Sequence, residues 1–244
     1  MPKPTFFNLD PAKRDRIVQL AIEEFASHPF RAASISRIVK NAGIAKGSFY
    51  QYFDDKRDLY QWLVLEHIAE AKMRFIAESA PAPDDDFFTA LEKLMRAGMR
   101  FGLSHPRLAR VAGWILQAPP DRAAGRLEQH FRQVRHRNLR SLVVRGQEAG
   151  HLRADVDPDA AADLLVGVLH EGLNSATYRR LGVDLIELCA TPELAKKLGD
   201  DELDELIHGL VDVLRHGLAA ENPPEGGAGE LFDVRKYFPV EPPR

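Results

Sequence analysis

The stretch that decides the fold runs from Ala33 to Leu59 and has the sequence ASISRIVKNAGIAKGSFYQYFDDKRDL. It contains two short helix patterns separated by a turn. In the first pattern, apolar residues recur at the i, i+3, i+4, i+7 spacing of an amphipathic helix: Ile35, Ile38, Val39 and Ala42. Gly43 predicts the end of this helix, because glycine tolerates the left-handed backbone that closes a helix.

The second helix pattern covers residues 45–52. Phe49 and Phe53 lie four residues apart, so they share one face and are predicted to point inward. The opposite face carries small, basic, hydroxyl and aromatic side chains: Lys46, Gly47, Ser48, Tyr50, Gln51 and Tyr52. A helix enters the major groove of DNA when its exposed face is narrow and is flanked by hydrogen-bond donors. The stretch therefore predicts a helix-turn-helix that binds DNA.

Residues 10–60 resemble the DNA-binding domain of the TetR family of transcriptional repressors. The resemblance is carried by the glycine corner at Gly43, the segment KGSFYQYF at 46–53 and the lysine at position 56. It implies two groups of DNA-contacting residues and some secondary candidates. Those near bases or adjacent backbone are Lys46, Gly47, Ser48 and Tyr52; those at phosphates are Ser34, Tyr50 and Lys56; the secondary candidates are Ser36, Arg37 and Gln51.

The charge distribution fits a protein that binds DNA at one end. The 244 residues are 45% hydrophobic and 28% charged, which is enough for a small domain and a larger one. The net charge is -3. Residues 1–60 nevertheless hold 10 lysines and arginines against 7 aspartates and glutamates, a charge of +3, and the remainder carries -6. The basic excess is thus local to the predicted DNA-binding end.

Other classes of function find little support in the sequence. Cys189 is the only cysteine, which excludes an intramolecular disulfide and a cysteine-only metal cluster. No two of the nine histidines lie four residues apart, and the sequence has neither a phosphate-binding glycine loop nor a nucleophile elbow. We therefore expect no metal, no cofactor and no enzymatic activity. Without a signal-peptide pattern or 18 consecutive apolar residues, we expect a cytoplasmic protein with no membrane contact.

The remaining periodicity predicts an all-α protein without strands. Residues 1–54 are predicted to form a three-helix helix-turn-helix domain. A long helix over 55–78 joins it to a larger helical domain for ligand binding and dimerisation, residues 55–220, with about nine or more helices in the protein. Residues 221–244 are rich in proline and glycine, and we expect them to form a mobile tail.

A helix pattern that starts at Asp157-Pro158 is apolar on nearly all sides, and a second pattern over 201–218 supplies a companion helix. A helix without a polar face has to be covered twice, by its own core and by something else. We therefore expect a four-helix interface in a homodimer, as the resemblance also implies. The residues expected there are Leu165, Leu169, Leu203, Leu206, Leu210 and Leu214.

A ligand pocket is expected among the helices between residues 84 and 180, where aromatic and methionine side chains face a common interior. Apolar walls with sparse polar groups suit a lipophilic or aromatic ligand. The candidate pocket residues are His67, Met95, Met99, Trp114, Phe131, Asn138, His170 and Asn174. The same side chains equally fit a solid core, and that alternative stays open at this point.

These patterns together predict a transcriptional repressor. It binds a palindromic double-stranded DNA operator as a homodimer and is released by a small-molecule effector. Two alternatives are a regulator of the same fold without a small-molecule effector, and a helical binding protein with a vestigial DNA domain. A cavity of several hundred cubic ångströms would argue against the first, and failure to bind any duplex at low salt would favour the second.

Overall fold

The computed structural model describes residues 1–78, 81–82, 84–113, 124–195, 199–224 and 226. Every regular element within these ranges is a helix, and one isolated antiparallel bridge joins Leu152 to Ala219. The predicted all-α class is therefore confirmed. None of the helices in the described ranges has both the length and the apolar character needed to cross a membrane.

The first structural unit contains residues 1–71 and 105–129. Its helices are α1 (Pro4–Phe7), α2 (Pro11–Ser27), α3 (Ile35–Ala42), α4 (Lys46–Tyr52), α5 (Lys56–Trp62), a π-helical segment (Leu63–Ile68), the start of α6 (Ala69–Ala77), α8 (Pro106–Gly113) and the start of α9 (Ala124–Glu148). Helix α2 packs against α3 and α8, and α3 packs against α4. Large buried side chains such as Phe25, Phe49 and Leu59 fill the space between these helices.

Local signals at the helix ends explain why these segments fold as they do. The side chain of Asp10 accepts a hydrogen bond from the backbone amide of Lys13, and Pro11 occupies the first helical position of α2. Asp55 caps α5 in the same way through the amide of Asp58. A buried hydrogen bond of 2.5 Å from the Tyr60 hydroxyl to the carbonyl of Val111 holds α8 on α5.

The long helix expected over 55–78 contains a π-helical segment, Leu63–Ile68, that periodicity did not predict. Its apolar stripe has a strict spacing of four residues: Leu59, Leu63, His67, Ala71 and Phe75. An α-helix has 3.6 residues per turn, so such a stripe drifts around its surface. The wider π turn counters that drift. Leu59 and Leu63, at the start of the stripe, are fully buried.

The second unit contains residues 72–104 and 130–244. Its described helices are the rest of α6, α7 (Phe87–Ser104), most of α9, α10 (Pro158–Gly167), a second π-helical segment (Val168–Gly172), α11 (Leu173–Leu181), α12 (Leu185–Ala190), α13 (Pro192–Ala195) and α14 (Asp200–Leu218). Its main contact is between α7 and α14. One hydrophobic cluster, which includes Phe88, Leu91, Ile207 and Val211, fills that contact.

Ion pairs line the contact between α7 and α14. Arg96 lies 2.6 Å from Asp204, and Arg100 lies 2.8 Å from Asp200. The three acidic residues in the first turn of α14 and the two basic ones in its last turn also match the polarity of the helix dipole. Because these pairs are partly exposed, they contribute less to stability than the apolar cluster does.

The structure corrects half of the predicted dimer residues. Leu165, Leu203 and Leu214 are buried within the core of their own unit, so they have no surface left for a second chain. The remaining three, which are Leu169, Leu206 and Leu210, are partly buried against the same core. Periodicity shows that a helix has an apolar face but not whether that face is covered by its own unit or by a second chain, which is why these three residues were predicted at the interface.

Two other sequence-based predictions remain as they were. Residues 227–244 of the predicted tail lie outside the described residues. The domain boundary at residue 54 stays a prediction, and the division of the structure into units falls between Ala71 and Lys72, within α6.

Candidate nucleic-acid interface

The turn between α3 and α4 has the geometry that the sequence predicted. Gly43 follows the last residue of α3 and adopts a left-handed conformation, with φ of 69° and ψ of 30°. The amide of Ile44 then donates a hydrogen bond of 3.0 Å to the carbonyl of Val39, which closes the helix. A side chain at position 43 would be strained in this conformation, so the glycine sets the angle at which α4 leaves α3.

Helix α4 has one buried face and one exposed face. Phe49 and the following Phe53 are fully buried, and their rings pack with centroids 5.6 Å apart. The exposed face, called the recognition face from here on, consists of Lys46, Gly47, Ser48, Tyr50 and Gln51. Within it Ser48 is half-buried and the other four residues are exposed. The two phenylalanines thus anchor the helix while its polar side stays open.

Two features of the recognition face suit a close approach to DNA. A Cβ atom added to Gly47 would meet nothing within 4 Å, so this glycine is not required by packing within the protein. Because Gly47 has no side chain, the surface of α4 is locally flat at this position. Among the described residues, none forms a hydrogen bond or an ion pair with the ammonium of Lys46. A free ammonium beside a flat helix surface can neutralise a phosphate or donate to a base edge.

Tyr52 was predicted to lie on this face, and that prediction is wrong. Its side chain is only 6% exposed, and its ring packs 6.1 Å from the ring of Phe6. Position 52 lies on the same side of α4 as Phe49, because three residues of a helix bring the chain nearly one full turn around. Tyr52 therefore belongs to the core that supports α4.

Lys56 was predicted to bind a phosphate, and its half-buried ammonium makes hydrogen bonds within the protein. It donates hydrogen bonds to the carbonyls of Arg31, at 3.1 Å, and Ala33, at 2.8 Å, and it lies 4.8 Å from the ring centroid of Phe30. Desolvation lowers the pKa of Lys56, although the nearby Glu24 carboxylate opposes that effect. Lys56 therefore joins the start of α5 to the loop that leads into α3.

Arg37, a secondary candidate for DNA contact, is also engaged within the protein. Both its Nε and Nη2 atoms donate to the carboxylate of Glu24, with Nε 3.0 Å from either oxygen. The Glu24 carboxylate also accepts a bond of 2.7 Å from the amide of Ser34. Burial favours the neutral form of Glu24, but the bonds from Arg37 and Ser34 outweigh it and lower the pKa of Glu24.

The two serines at the start of α3 remain available to a phosphate. The Ser34 hydroxyl oxygen accepts a bond of 3.4 Å from the amide of Arg37 and caps α3. Its own proton is not needed for that cap. Ser36 is exposed on the first turn of the same helix. Both hydroxyls therefore keep a donor for a phosphate oxygen.

The N-terminal arm, residues 1–8, is the part of the site that sequence reasoning missed. The backbone amide of Lys3 donates to the carbonyl of Tyr52 at 2.8 Å, and its ammonium donates to the carbonyl of Tyr50 at 2.9 Å. The Thr5 hydroxyl donates to the carbonyl of Gln51. These three carbonyls are at the C-terminal end of α4, where the helix itself provides no donors.

The Phe6 ring secures the arm. It is fully buried and lies 4.8 Å from the ring of Phe53 and 5.2 Å from that of Trp62. Phe6 thus packs on the ends of α4 and α5. The only available signal was an aromatic pair in an otherwise polar segment, which does not identify a packing partner.

Comparisons with known proteins agree with this geometry. The family described as "Bacterial regulatory proteins, tetR family" matches residues 17–62, which contain the helix-turn-helix. A crystal structure of a TetR family transcriptional regulator from Chloroflexus aurantiacus is 34% identical in sequence, with a TM-score of 0.62. That match covers 91% of this chain and 100% of the other. The chain belongs to the TetR family. It is a DNA-binding transcriptional regulator.

Two further relatives show how far the likeness to TetR family members extends. The HTH-type transcriptional regulator YvdT of Bacillus subtilis is 37% identical over 98 residues, which are 39% of this chain and 45% of that protein. The chain thus spans less than half the length of this relative. The complex of triclosan with SmeT, the repressor of a Stenotrophomonas maltophilia multidrug efflux pump, is 18% identical, with a TM-score of 0.60. It covers 88% of this chain and 96% of SmeT, and it shows a shared fold.

The predicted ligand-pocket residues of this TetR family chain fall into different surroundings. Met95 and Met99 are buried in the hydrophobic cluster of the second unit. Phe131 and Asn138 are half-buried on α9. The Oδ1 atom of Asn174 accepts a bond of 2.9 Å from the amide of Leu185, so this side chain supports the start of α12 and is not a free pocket anchor.

The remaining candidate pocket residues give no further support. His67 belongs to the first unit, where its ring lies 5.6 Å from that of Trp62. Trp114 and the side chain of His170 lie outside the part of the chain that the structure describes. Within the described part, no group of three or more histidine, cysteine, aspartate or glutamate side chains is arranged to hold a metal ion.

Proposed function

We propose that this protein is a repressor that binds a palindromic operator in double-stranded DNA as a homodimer and leaves it when a small molecule binds. The observation that carries the proposal is the recognition face. Its exposed lysine, glycine and hydroxyl groups lie on a helix whose other side is buried, and the ammonium of Lys46 has no partner among the described residues. This set of donors matches base edges and phosphates in a major groove.

The proposed site contains fewer DNA ligands than the sequence predicted. We assign Lys46, Gly47, Ser48 and Gln51 to the base edges or adjacent backbone, and Tyr50, Ser34 and Ser36 to phosphates. Lys56 instead joins the start of α5 to the loop before α3, and Arg37 joins α3 to Glu24 on α2. Movement of α5 is therefore transmitted through Lys56 to the loop before α3, which gives a direct route from α5 to the DNA-binding helices.

A homodimer is part of the proposal because two copies of α4 are needed to contact a symmetric site. In helix-turn-helix dimers the half-sites are about 34–36 Å apart or a multiple of that distance. The exposed apolar groups of the second unit include Leu164 on α10 and Val213 on α14, which are 46% and 70% exposed. Gly209 and Gly217 flank Val213 one turn away on either side, and a Cβ on either would meet nothing within 4 Å. A second chain could therefore approach α14 closely along this stripe.

Release by a small molecule is supported by the fold that this chain shares with SmeT, which binds triclosan. A ligand that prefers the conformation with misplaced recognition helices lowers the DNA affinity by the ratio of its two affinities. Because its proposed partner is operator DNA, we place the protein in the cytoplasm.

One experiment tests the DNA-binding part of the proposal. Genomic fragments captured by the purified full-length protein are sequenced, and the enriched site is then footprinted. We expect a single inverted repeat that is protected on one face of the duplex, bound by two chains as counted by light scattering. Capture without a symmetric motif, or binding by one chain, would contradict the proposed repressor. A Lys46→Ala, Ser48→Ala double variant serves as the control that should lose the enrichment.

A further inference from the structure

The carbonyls at the C-terminal end of α4 are bonded by a segment far earlier in the chain. A helix cannot satisfy its last four carbonyls by itself. In α4 the carbonyl of Phe49 accepts from the amide of Phe53 at 2.9 Å. The other three accept from the N-terminal arm: Tyr50 from the ammonium of Lys3, Gln51 from the hydroxyl of Thr5, and Tyr52 from the amide of Lys3. The arm therefore completes the cap of this helix.

Helix α4 depends on this cap because it has little support of its own. It spans only seven residues, and Ala45 before it offers no side-chain acceptor to the first amides. Helices α2, α3 and α5 each begin at a residue whose side chain caps them. A helix as short as α4 is marginal without tertiary contacts. Its orientation is thus set by the residues that hold its end and its buried face.

Lys3 also links α4 to the loop that follows it. Its ammonium lies 2.7 Å from Oδ1 of Asp54 and 2.9 Å from the carbonyl oxygen of Tyr50. The Asp54 amide in turn donates to the carboxylate of Asp58 on α5 at 3.0 Å. Because the Asp54 side chain is 75% exposed, its ion pair with Lys3 is screened by water and adds little. The bonds to the helix carbonyls are therefore the contacts that fix the end of α4.

The arm is itself fixed to the rest of the first unit. The Phe6 ring is buried, and Arg14 on α2 donates to the carbonyl of Phe7 at 3.3 Å. Arg16, also on α2, donates to the carbonyl of Asn41 at 3.0 Å, near the C-terminal end of α3. Helix α2 thus holds the end of α3 directly and the end of α4 through the arm. Basic side chains from outside the helix-turn-helix hold both of its helices.

The orientation of α4 matters more for reading bases than for binding phosphates. A specific polar contact requires its donor to be placed within about 0.5 Å, whereas phosphate contacts carry no sequence information. The residues assigned to base edges include Lys46 and Ser48, which lie on α4. Ser34 and Ser36, assigned to phosphates, lie at the start of α3. A tilt of α4 therefore lowers the affinity for operator and largely preserves the affinity for other DNA.

We propose that Lys3 is a positioning residue that determines how well the protein distinguishes its operator from other DNA. It acts through α4 by completing the cap of that helix, and it contacts neither a base nor a phosphate. The inference rests on the proposed function, because it requires α4 to read base edges. It gives the N-terminal arm a part in sequence recognition in addition to its part in the fold.

The test compares the affinities of the full-length protein for two duplexes by fluorescence anisotropy at several salt concentrations. One duplex is the most enriched fragment from the genomic capture, and the other is a scrambled duplex of the same length and composition. In Lys3→Met we expect the affinity for the first to fall about fivefold or more, while that for the second stays within about twofold. The slope of log affinity against log salt should not change, because no phosphate contact is lost.

Three further variants separate the cap from other roles of Lys3. Lys3→Arg keeps a charged donor and should restore most of the preference for operator. Asp54→Asn removes the ion pair but keeps an oxygen acceptor, and it should leave the preference unchanged. A loss in Asp54→Asn equal to that in Lys3→Met would overturn the role of the cap. Lys13→Met removes the same charge from an exposed position of α2 and should keep the ratio of the two affinities.

Hydrogen exchange in the absence of DNA measures the state of α4 directly. The amides of residues 50–53 should exchange several-fold faster in Lys3→Met than in the wild type, because the last turn frays. The amides of α2 should stay protected, which shows that the variant folds. Thr5→Val removes one bond of the same cap without a change in charge, so it should lower the preference for operator in the same direction. A full preference in both variants would overturn the inference.

The outcomes separate this inference from the proposed function. If Lys3→Met binds both duplexes less tightly and the salt slope falls by about 0.9, Lys3 contacts a phosphate and the inference is overturned. If Lys3→Met keeps the preference and the Lys46→Ala, Ser48→Ala double variant loses it, the inference fails and the recognition face stands. If neither variant loses the preference, or if no fragment is enriched, the proposed function fails together with the inference.

Discussion

The ammonium of Lys56 donates a hydrogen bond of 2.8 Å to the carbonyl oxygen of Ala33, 23 residues earlier in the chain. This contact joins the first residue of α5 to the loop that enters α3. Lys56 was predicted to bind phosphate, whereas this contact gives it a role in positioning the DNA-binding helices. The two roles predict different salt dependence of DNA binding, so they can be separated.

Lys56→Met should weaken DNA binding through the protein structure. Two charge-assisted hydrogen bonds are lost, so we expect the free energy of unfolding to fall by about 1–3 kcal/mol. The affinity for operator should fall as well, but the slope of log affinity against log salt should stay unchanged, because no phosphate contact is removed. Urea unfolding and fluorescence anisotropy at several salt concentrations measure both quantities. A decrease of about one in the slope of log affinity against log salt would show that Lys56 does contact a phosphate.

Lys46→Ala should behave in the opposite way. Its ammonium has no partner among the described residues, so stability should change by less than about 0.5 kcal/mol. If Lys46 neutralises one phosphate, the salt slope should fall by about 0.9. If it contacts a base instead, the slope should hold and one operator position should lose its preference. Arg179→Ala, which removes an exposed charge from α11 in the other unit, is the control. Unchanged DNA binding in Lys46→Ala would contradict the assigned recognition face.

The ion pair of Glu24 and Arg37 predicts a loss of stability in acid. Hydrogen bonds to Arg37 and Ser34 hold the pKa of Glu24 below its ordinary value of 4.5, despite burial. Between these two pKa values the unfolded chain binds more protons than the folded protein. The pair therefore contributes fully above about pH 4.5, and its contribution is lost as the pH falls through the folded-state pKa.

Glu24→Gln tests this pH dependence. At pH 7 we expect it to lower the free energy of unfolding by roughly 2 kcal/mol, because Arg37 loses its counter-charge while remaining partly exposed. Below pH 4 the difference from the wild type should shrink. Urea unfolding between pH 3 and pH 7 gives the comparison. Glu23→Gln, which alters the exposed neighbouring carboxylate, should leave the curve unchanged.

Phe6→Ala should release the N-terminal arm from α4. Burial of this ring is complete, so its removal should cost about 3–5 kcal/mol of unfolding free energy if the site does not collapse. Operator affinity should also fall, because the carbonyls at the end of α4 lose the donors of Lys3 and Thr5. Phe7→Ala, at a ring that is 39% exposed, should cost less than about 1 kcal/mol. Equal effects of the two variants would show that the arm does not support α4.

Val213→Asp should separate the proposed dimer. Its side chain is 70% exposed in the single chain, so the monomer should fold normally. A carboxylate enclosed between two chains would weaken association by about tenfold or more. Sedimentation equilibrium gives the dissociation constant. Ala154→Asp adds the same charge at an exposed position outside α10 and α14, and it should not affect association.

The sequence determined those features of the protein whose causes lie within a few residues. Asp10-Pro11 begins α2, Gly43 ends α3, and Phe49 and Phe53 face inward, because caps and helical periodicity act over one or two turns. These local signals were sufficient for the all-α class, the helix-turn-helix and the exposed half of α4.

Only the tertiary structure decided the partners of side chains that meet across the chain. Tyr52 is buried against a residue 46 positions earlier, and Lys56 and Arg37 are bound by groups on α2 and the loop after it. The same holds for Leu165 and Leu214, because helical periodicity does not tell which apolar residues face the protein's own core and which face a second chain. Long-range packing determines which face of each helix is covered. The periodicity of the sequence identifies an apolar face but not the residues that pack against it.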